Sequence, residues 1–182
     1  MNTDLPFFLI VDGEEKEIDS DFRNVILICN AFNDTELNQN EKIRVMLDLL
    51  YVDDWTDFYD RNEAVKQAIW FIDWGKEYEE TNEKSPHLMD WEQDYNLICS
   101  AVNNKSNILD VRCLEYMHWW TFLGYFSERG ECQFSTVTDI RDKLNKGKKL
   151  DQTEKEILRE NRNLIILKNK SNEDFENEMW GE

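Results

Sequence analysis

One stretch constrains this chain more than any other: Asp110 to Phe126, reading Asp-Val-Arg-Cys-Leu-Glu-Tyr-Met-His-Trp-Trp-Thr-Phe-Leu-Gly-Tyr-Phe. Asp110 can accept from the free N–H groups of a first helical turn, so the pattern predicts a helix starting there. Leu114, Met117, Thr121 and Gly124 fall on one stripe. Tyr116, Trp119, Trp120, Leu123 and Phe126 fill most of the remaining surface. A helix apolar over so much of its circumference is normally surrounded by the other elements of its domain. Trp119 and Trp120 point about 100° apart on such a helix, so one narrow stripe cannot hold both. The expectation is Trp120 in the core and Trp119 on a groove wall or in a second packed layer.

The remaining segments each carry one apolar face. Phe7 to Val11 reads as a strand, and Asp12-Gly13 is a strong two-residue hairpin signal. Glu14 to Ile18 is the charged return strand. Asp19 or Ser20 can cap a first helix whose face is Phe22, Val25, Ile26, Cys29 and Phe32. Asn38 with Glu41 opens a second. A third runs from about Asn62 to Trp74 on Val65, Ala68, Ile69 and Ile72, with Gly75 as its C′ residue. Tyr78 to His87 is polar, contains Pro86 and reads as a loop.

Asp90 with Gln93 starts a fourth helix through Ile98, Ala101 and Val102, followed by a polar turn from Asn103 to Asn107. Beyond the central stretch, Phe134, Val137, Ile140 and Leu144 predict a helix capped near Ser135. Asp151 with Glu154 opens a last one reaching Leu167. The fold class is therefore mainly α. It is a compact helical domain of six or seven helices with an N-terminal hairpin, spanning 1–170, with an acidic, disordered tail over 171–182.

Charge and chemistry narrow the function. The chain has 182 residues and a net charge of −18, which argues against direct binding to nucleic acid or an anionic membrane. No run reaches the length of a membrane span, and with no basic n-region and a short apolar run at Pro6–Val11, no signal peptide is expected. Cys29, Cys99, Cys113 and Cys132 show no metal or redox spacing. They read as reduced structural thiols of a cytoplasmic protein.

His118 lacks a nucleophile or second base beside it, so it reads as a hydrogen-bonded structural residue. Asp53, Asp54, Asp57 and Asp60 lack the glycine and terminal glutamate of a calcium loop. No catalytic residue, cofactor site or metal site is expected, and the chain reads as non-enzymatic. Its seven tryptophans exceed what a small core needs, and tryptophan is enriched at protein interfaces. Trp70, Trp74, Tyr116, Trp119 and Phe126 are the protein-binding candidates.

Several stretches together resemble one family. The hairpin followed by Ile18-Asp19-Ser20-Asp21-Phe22-Arg23, then Ala68-Ile69-Trp70-Phe71 with Gly75-Lys76, then Met89 to Asp94 with Ile98 to Ala101, occur in order. Leu114 to Phe122 is the strongest match, and Phe134 with Ile140-Arg141 follows it. The pattern, over about residues 5 to 145, is similar to the bacteriophage gene-product-fifteen family of tail-gene clusters. Past Arg141, the Lys143–Lys149 cluster looks particular to this chain. The resemblance implies a tail morphogenesis protein similar to tail assembly chaperones. Its partner would be the tape-measure or another phage tail protein, in the host bacterial cytoplasm, with a homo-oligomer also possible. The rival expectation is an acidic DNA mimic that inhibits a host nuclease or defence protein.

Overall fold

A computed structural model of the protein describes residues 5–77 and 88–168. The predicted loop over 78–87 and the tail over 171–182 lie outside those residues. The chain packs as two compact units, one taking Met1–Thr81 and Val111–Ser127, the other Asn82–Asp110 and Glu128–Glu182. Eight α-helices and one two-stranded antiparallel sheet are present among the described residues, a mainly α fold as expected.

The first unit opens with β1 (Phe8–Val11) and β2 (Glu14–Glu17), joined by Asp12-Gly13 with φ of 58° and 75°. Both turn residues are left-handed, the geometry that matches strand twist in a two-residue hairpin. Leu9 and Val11 are buried, while Phe8 and Ile10 alternate outward. Next come α1 (Phe22–Asn33), α2 (Gln39–Leu50) and α3 (Arg61–Ile72). Helix α1 packs on α2, α2 on α3, and α3 on β1.

The cap of α1 is neither Asp19 nor Ser20 but Asp21, whose carboxylate accepts from Arg23 N–H. Asn38 and Glu41 form the expected capping box of α2. Helix α3 is turned from the expected register: it buries Ala64, Ala68 and Phe71. It ends in a Schellman motif in which Trp74, not Gly75, takes the left-handed C′ position at φ 59°. Gly75 N–H donates to Trp70 O at 2.8 Å, and Trp74 N–H to Phe71 O at 3.3 Å.

The central stretch is the largest departure. Asp110 starts no long helix. Val111–Cys113 is a single 3-10 turn, and residues 114–118 are non-helical. The helix here, α5 (Trp119–Ser127), is short and packs on α1. Its core contact is a stack of Phe122 on Phe22, centroids 4.5 Å apart, extended by Trp119.

The second unit holds α4 (Tyr95–Ser106), α6 (Gln133–Asn145), α7 (Gln152–Glu160) and α8 (Arg162–Ile165). Asp90 caps only a turn, accepting from Glu92 and Gln93 N–H, and α4 begins at Tyr95. That helix then runs through the predicted polar turn to Asn107, its left-handed C-cap at φ 57°. Helix α6 is capped at Cys132, with Ser135 as the third helical residue. The predicted last helix breaks at Asn161 into α7 and α8. Val137, Ile140, Leu158 and Ile165 form its core.

At the centre of this unit lies an ion pair. Arg141 sits on the stripe of Val137, Ile140 and Leu144 and is 4% exposed; Asp94 is wholly buried. Their contacts are bidentate, at 2.6 and 2.9 Å. Arg141 also donates to the carbonyls of Leu88, Leu164 and Ile165 at 2.7 to 2.9 Å. Gln93 Nε2 donates to Ile166 O at 2.9 Å, and its Oε1 accepts from Lys168 N–H at 3.0 Å.

Candidate functional site

The residues that make Leu114 to Phe122 distinctive converge on one knot inside the first unit. His118 caps α5 with its ring: Trp120 N–H donates to Nδ1 at 3.0 Å. Nδ1 is therefore the acceptor of a neutral imidazole, and Nε2 carries the proton. Nε2 donates to Pro6 O at 2.9 Å. The ring is buried between the edges of Phe7 and Phe71. Burial pushes its pKa below the ordinary 6.5, against the opposing hydrogen bond to Pro6. His118 is thus a structural tether between the chain's start and α5, with its two nitrogens both occupied.

The adjacent tryptophans finish α3. Trp119 Nε1–H donates to Ile72 O at 2.9 Å, and Trp120 Nε1–H donates to Phe71 O at 2.8 Å. The last carbonyls of a helix lack intrahelical donors, and two indoles supply them here. A Cβ on Gly75 would lie 3.0 Å from Trp120 Cη2, so that residue's smallness admits the ring. Trp119 is 1% exposed and belongs to the core, while Trp120, expected there, is half-buried. The error follows from the missing helical turns, because residues 114–118 do not share α5's stripe.

Asp21 ties the knot from the other side. Its carboxylate accepts from Arg23 Nε at 2.7 Å and from Met117 N–H at 3.2 Å. Burial works against its charge, but the hydrogen bonds from Arg23 and Met117 outweigh burial and hold its pKa below the usual range. Arg23 also donates to the carbonyls of Leu114 and Glu115. This network explains the residue types chemically without any reaction.

A groove of about 370 Å³ lies against the knot, within the same unit. Phe7, Phe8 and Ile10 form one side, with Leu5 and Pro6 at one end. Gln67 and Trp70 of α3, with Trp120, form the other, and Glu15 stands on the rim. Trp70 and Trp120 meet edge to face at 5.3 Å. Phe7, Phe8 and Ile10 are each nearly half exposed. Large exposed apolar side chains gathered around a groove mark an interaction surface.

Of the expected binding residues, Trp70 alone lines this groove. Trp74 and Tyr116 are exposed elsewhere, the latter with its hydroxyl against Ser20 Oγ at 2.7 Å. Trp119 and Phe126 are buried, which corrects their assignment to a binding surface. The groove's other walls were overlooked, although Phe7 to Val11 carried a signal. Five consecutive apolar residues in a strand put apolar side chains on both faces, and one face must then look outward.

Carboxylates of the acidic cluster serve as caps: Asp54 accepts from Thr56 N–H and Asp60 from Glu63 N–H. Among the described residues no group of three or more His, Cys, Asp or Glu stands placed to hold a metal ion. No described helix is long and apolar enough to cross a membrane. Cys99 is buried, and burial pushes the Cys29 thiol up to about 12. Cys113, expected in an apolar helix, is exposed.

The chain is a member of the family described as Bacteriophage Gp15 protein, which it matches over residues 1–167. That match runs past Arg141 and includes the Lys143–Lys149 segment, so the segment lies inside the family pattern. No curated protein and no solved structure matches the chain.

Proposed function

We propose that this protein is a non-enzymatic tail morphogenesis protein, a tail assembly chaperone that acts in the host cytoplasm. It holds the tape-measure or another tail protein while the tail is built. The observation that carries this reading is the exposed apolar groove of the first unit in a member of a phage family. A chaperone needs apolar surface to offer and charge to keep the complex dispersed, and a net charge of −18 supplies the second. The groove's one ionisable lining side chain is Glu15, and it has no nucleophile or second titratable group beside it among the lining residues.

The test is co-expression of the chain with each tail protein of the same phage, followed by co-purification. The expected result is a stable complex with a tail protein and poor solubility of that protein alone. Unchanged solubility of every tail protein, with normal tails in a phage lacking this chain, would refute the role.

A further inference from the structure

The outer edge of β1 is closed at both ends and open in the middle. In the register Val11↔Glu14, Ile10↔Glu15, Leu9↔Lys16 and Phe8↔Glu17, the two-residue turn makes Val11 with Glu14 a hydrogen-bonded pair. Leu9 follows by alternation, and Ile18 N–H donating to Phe7 O at 3.0 Å continues the ladder. The even residues therefore aim their backbone groups away from β2. Pro6 O is taken by His118 Nε2, and Asp12 N–H is taken by Glu63 at 2.7 Å. Between them, the N–H and C=O of Phe8 and Ile10 meet no partner among the described residues. They face the groove that Gln67 and Trp70 wall.

We infer that this edge accepts an extended segment of a partner protein as a third strand, an apolar segment flanked by lysine or arginine. The inference rests on the partner-binding reading above. An extended backbone satisfies the outward N–H and C=O groups, whereas a docked helix has its own bonded internally. Two apolar side chains of the segment lie beside Phe8 and Ile10, which are 49% and 48% exposed. Opposite those two stand Glu17 and Glu15 on the same face, both exposed, which selects basic flanks. The chain's own C-terminal residues 171–182 carry five acids and no base, so they are repelled.

The probe is an end-capped peptide, Lys-Thr-Val-Thr-Val-Thr-Lys, titrated into the full chain. As a third strand it sets both valines opposite Phe8 and Ile10 and both lysines on the glutamate face. Binding is read by calorimetry and by exchange protection of the Phe8 and Ile10 amides. Methylating both valine nitrogens removes the strand's donors and should weaken binding by about tenfold or more. Ile10→Pro removes an outward N–H that the hairpin ladder does not use, and should act similarly. Replacing both lysines by glutamate should also weaken binding.

Equal binding of the methylated peptide to the unaltered chain, no binding at millimolar peptide, or protection elsewhere than β1 would overturn the inference. So would concentration-dependent self-association that the peptide fails to compete. The methylated-peptide arm decides the matter even where Ile10→Pro fails to fold. Peptide binding at β1 without any tail-protein complex would leave the strand site standing and refute the chaperone role.

Discussion

Replacing Arg141 by methionine tests what holds the second unit together. All five N–H bonds of the guanidinium go to Asp94 and to the carbonyls of Leu88, Leu164 and Ile165. Removing one partner of a buried pair costs about 3–5 kcal/mol, because the other charge is stranded. Arg141→Met should therefore lower stability by about 3–5 kcal/mol. The informative variant is the double, Arg141→Met with Asp94→Leu.

A buried pair exchanged for apolar residues is often neutral or stabilising by about 1–4 kcal/mol. Here three carbonyls also lose their donor, at about 1 kcal/mol each. With the exchange of the pair itself taken as neutral, the double variant should recover part of the loss yet stay about 3 kcal/mol below the natural chain. Urea unfolding read by amide exchange in α4 and α6 measures this unit specifically. A double variant as stable as the natural chain, or a single variant costing under about 1 kcal/mol, would refute the view that the arginine's carbonyl contacts matter.

Other outcomes follow from the knot in the first unit. The folded His118 ring binds a proton less readily than the unfolded ring, so the unfolded chain binds more protons below the ordinary 6.5. Its contribution to stability is present above that value and is lost as pH falls through the folded value; His118→Gln should flatten this slope in thermal melts at pH 5 to 7.5 (about the window expected for a histidine). Trp119→Ala should cost about 3–5 kcal/mol and exceed Trp120→Ala, measured by urea unfolding. Gly75→Ala forces a side chain into φ 74° and against Trp120, and should cost more than about 1 kcal/mol in the same assay. A thiol reagent at neutral pH should modify Cys113 in the native chain and leave Cys99 and Cys29 unmodified until it unfolds.

Where local chemistry decides the structure, the sequence could be read directly. Asp12-Gly13 located the hairpin, and Asn38–Glu41 and Asp151–Glu154 located helix starts, because each device is contained within a few residues. Three consecutive candidates, Asp19, Ser20 and Asp21, blurred the start of α1; Asp21 wins because Arg23 and Met117 also reach its carboxylate. The central helix misled for a different reason. A segment apolar on nearly every side has no preferred face, so periodicity cannot report that its first turns are absent. Its true start is a histidine ring, a capping group outside the usual set. Arg141 was visible as a charge on an apolar stripe, but its partner lies 47 residues earlier and leaves no spacing rule.

The return of Val111–Ser127 to the first unit has a consequence for synthesis. Ile72 O and Phe71 O receive their indole donors only from Trp119 and Trp120, 47 and 49 residues later. At roughly 5–20 residues per second, a ribosome takes several seconds to cover that interval. During those seconds β1 to α3 are outside the tunnel with Pro6 O unclaimed, the two indole donors to the end of α3 missing and Phe22 without its stacking partner. The first unit of this chain is therefore begun early and closed late, and a nascent chain arrested before Trp119 should remain open to proteolysis across β1 and α3.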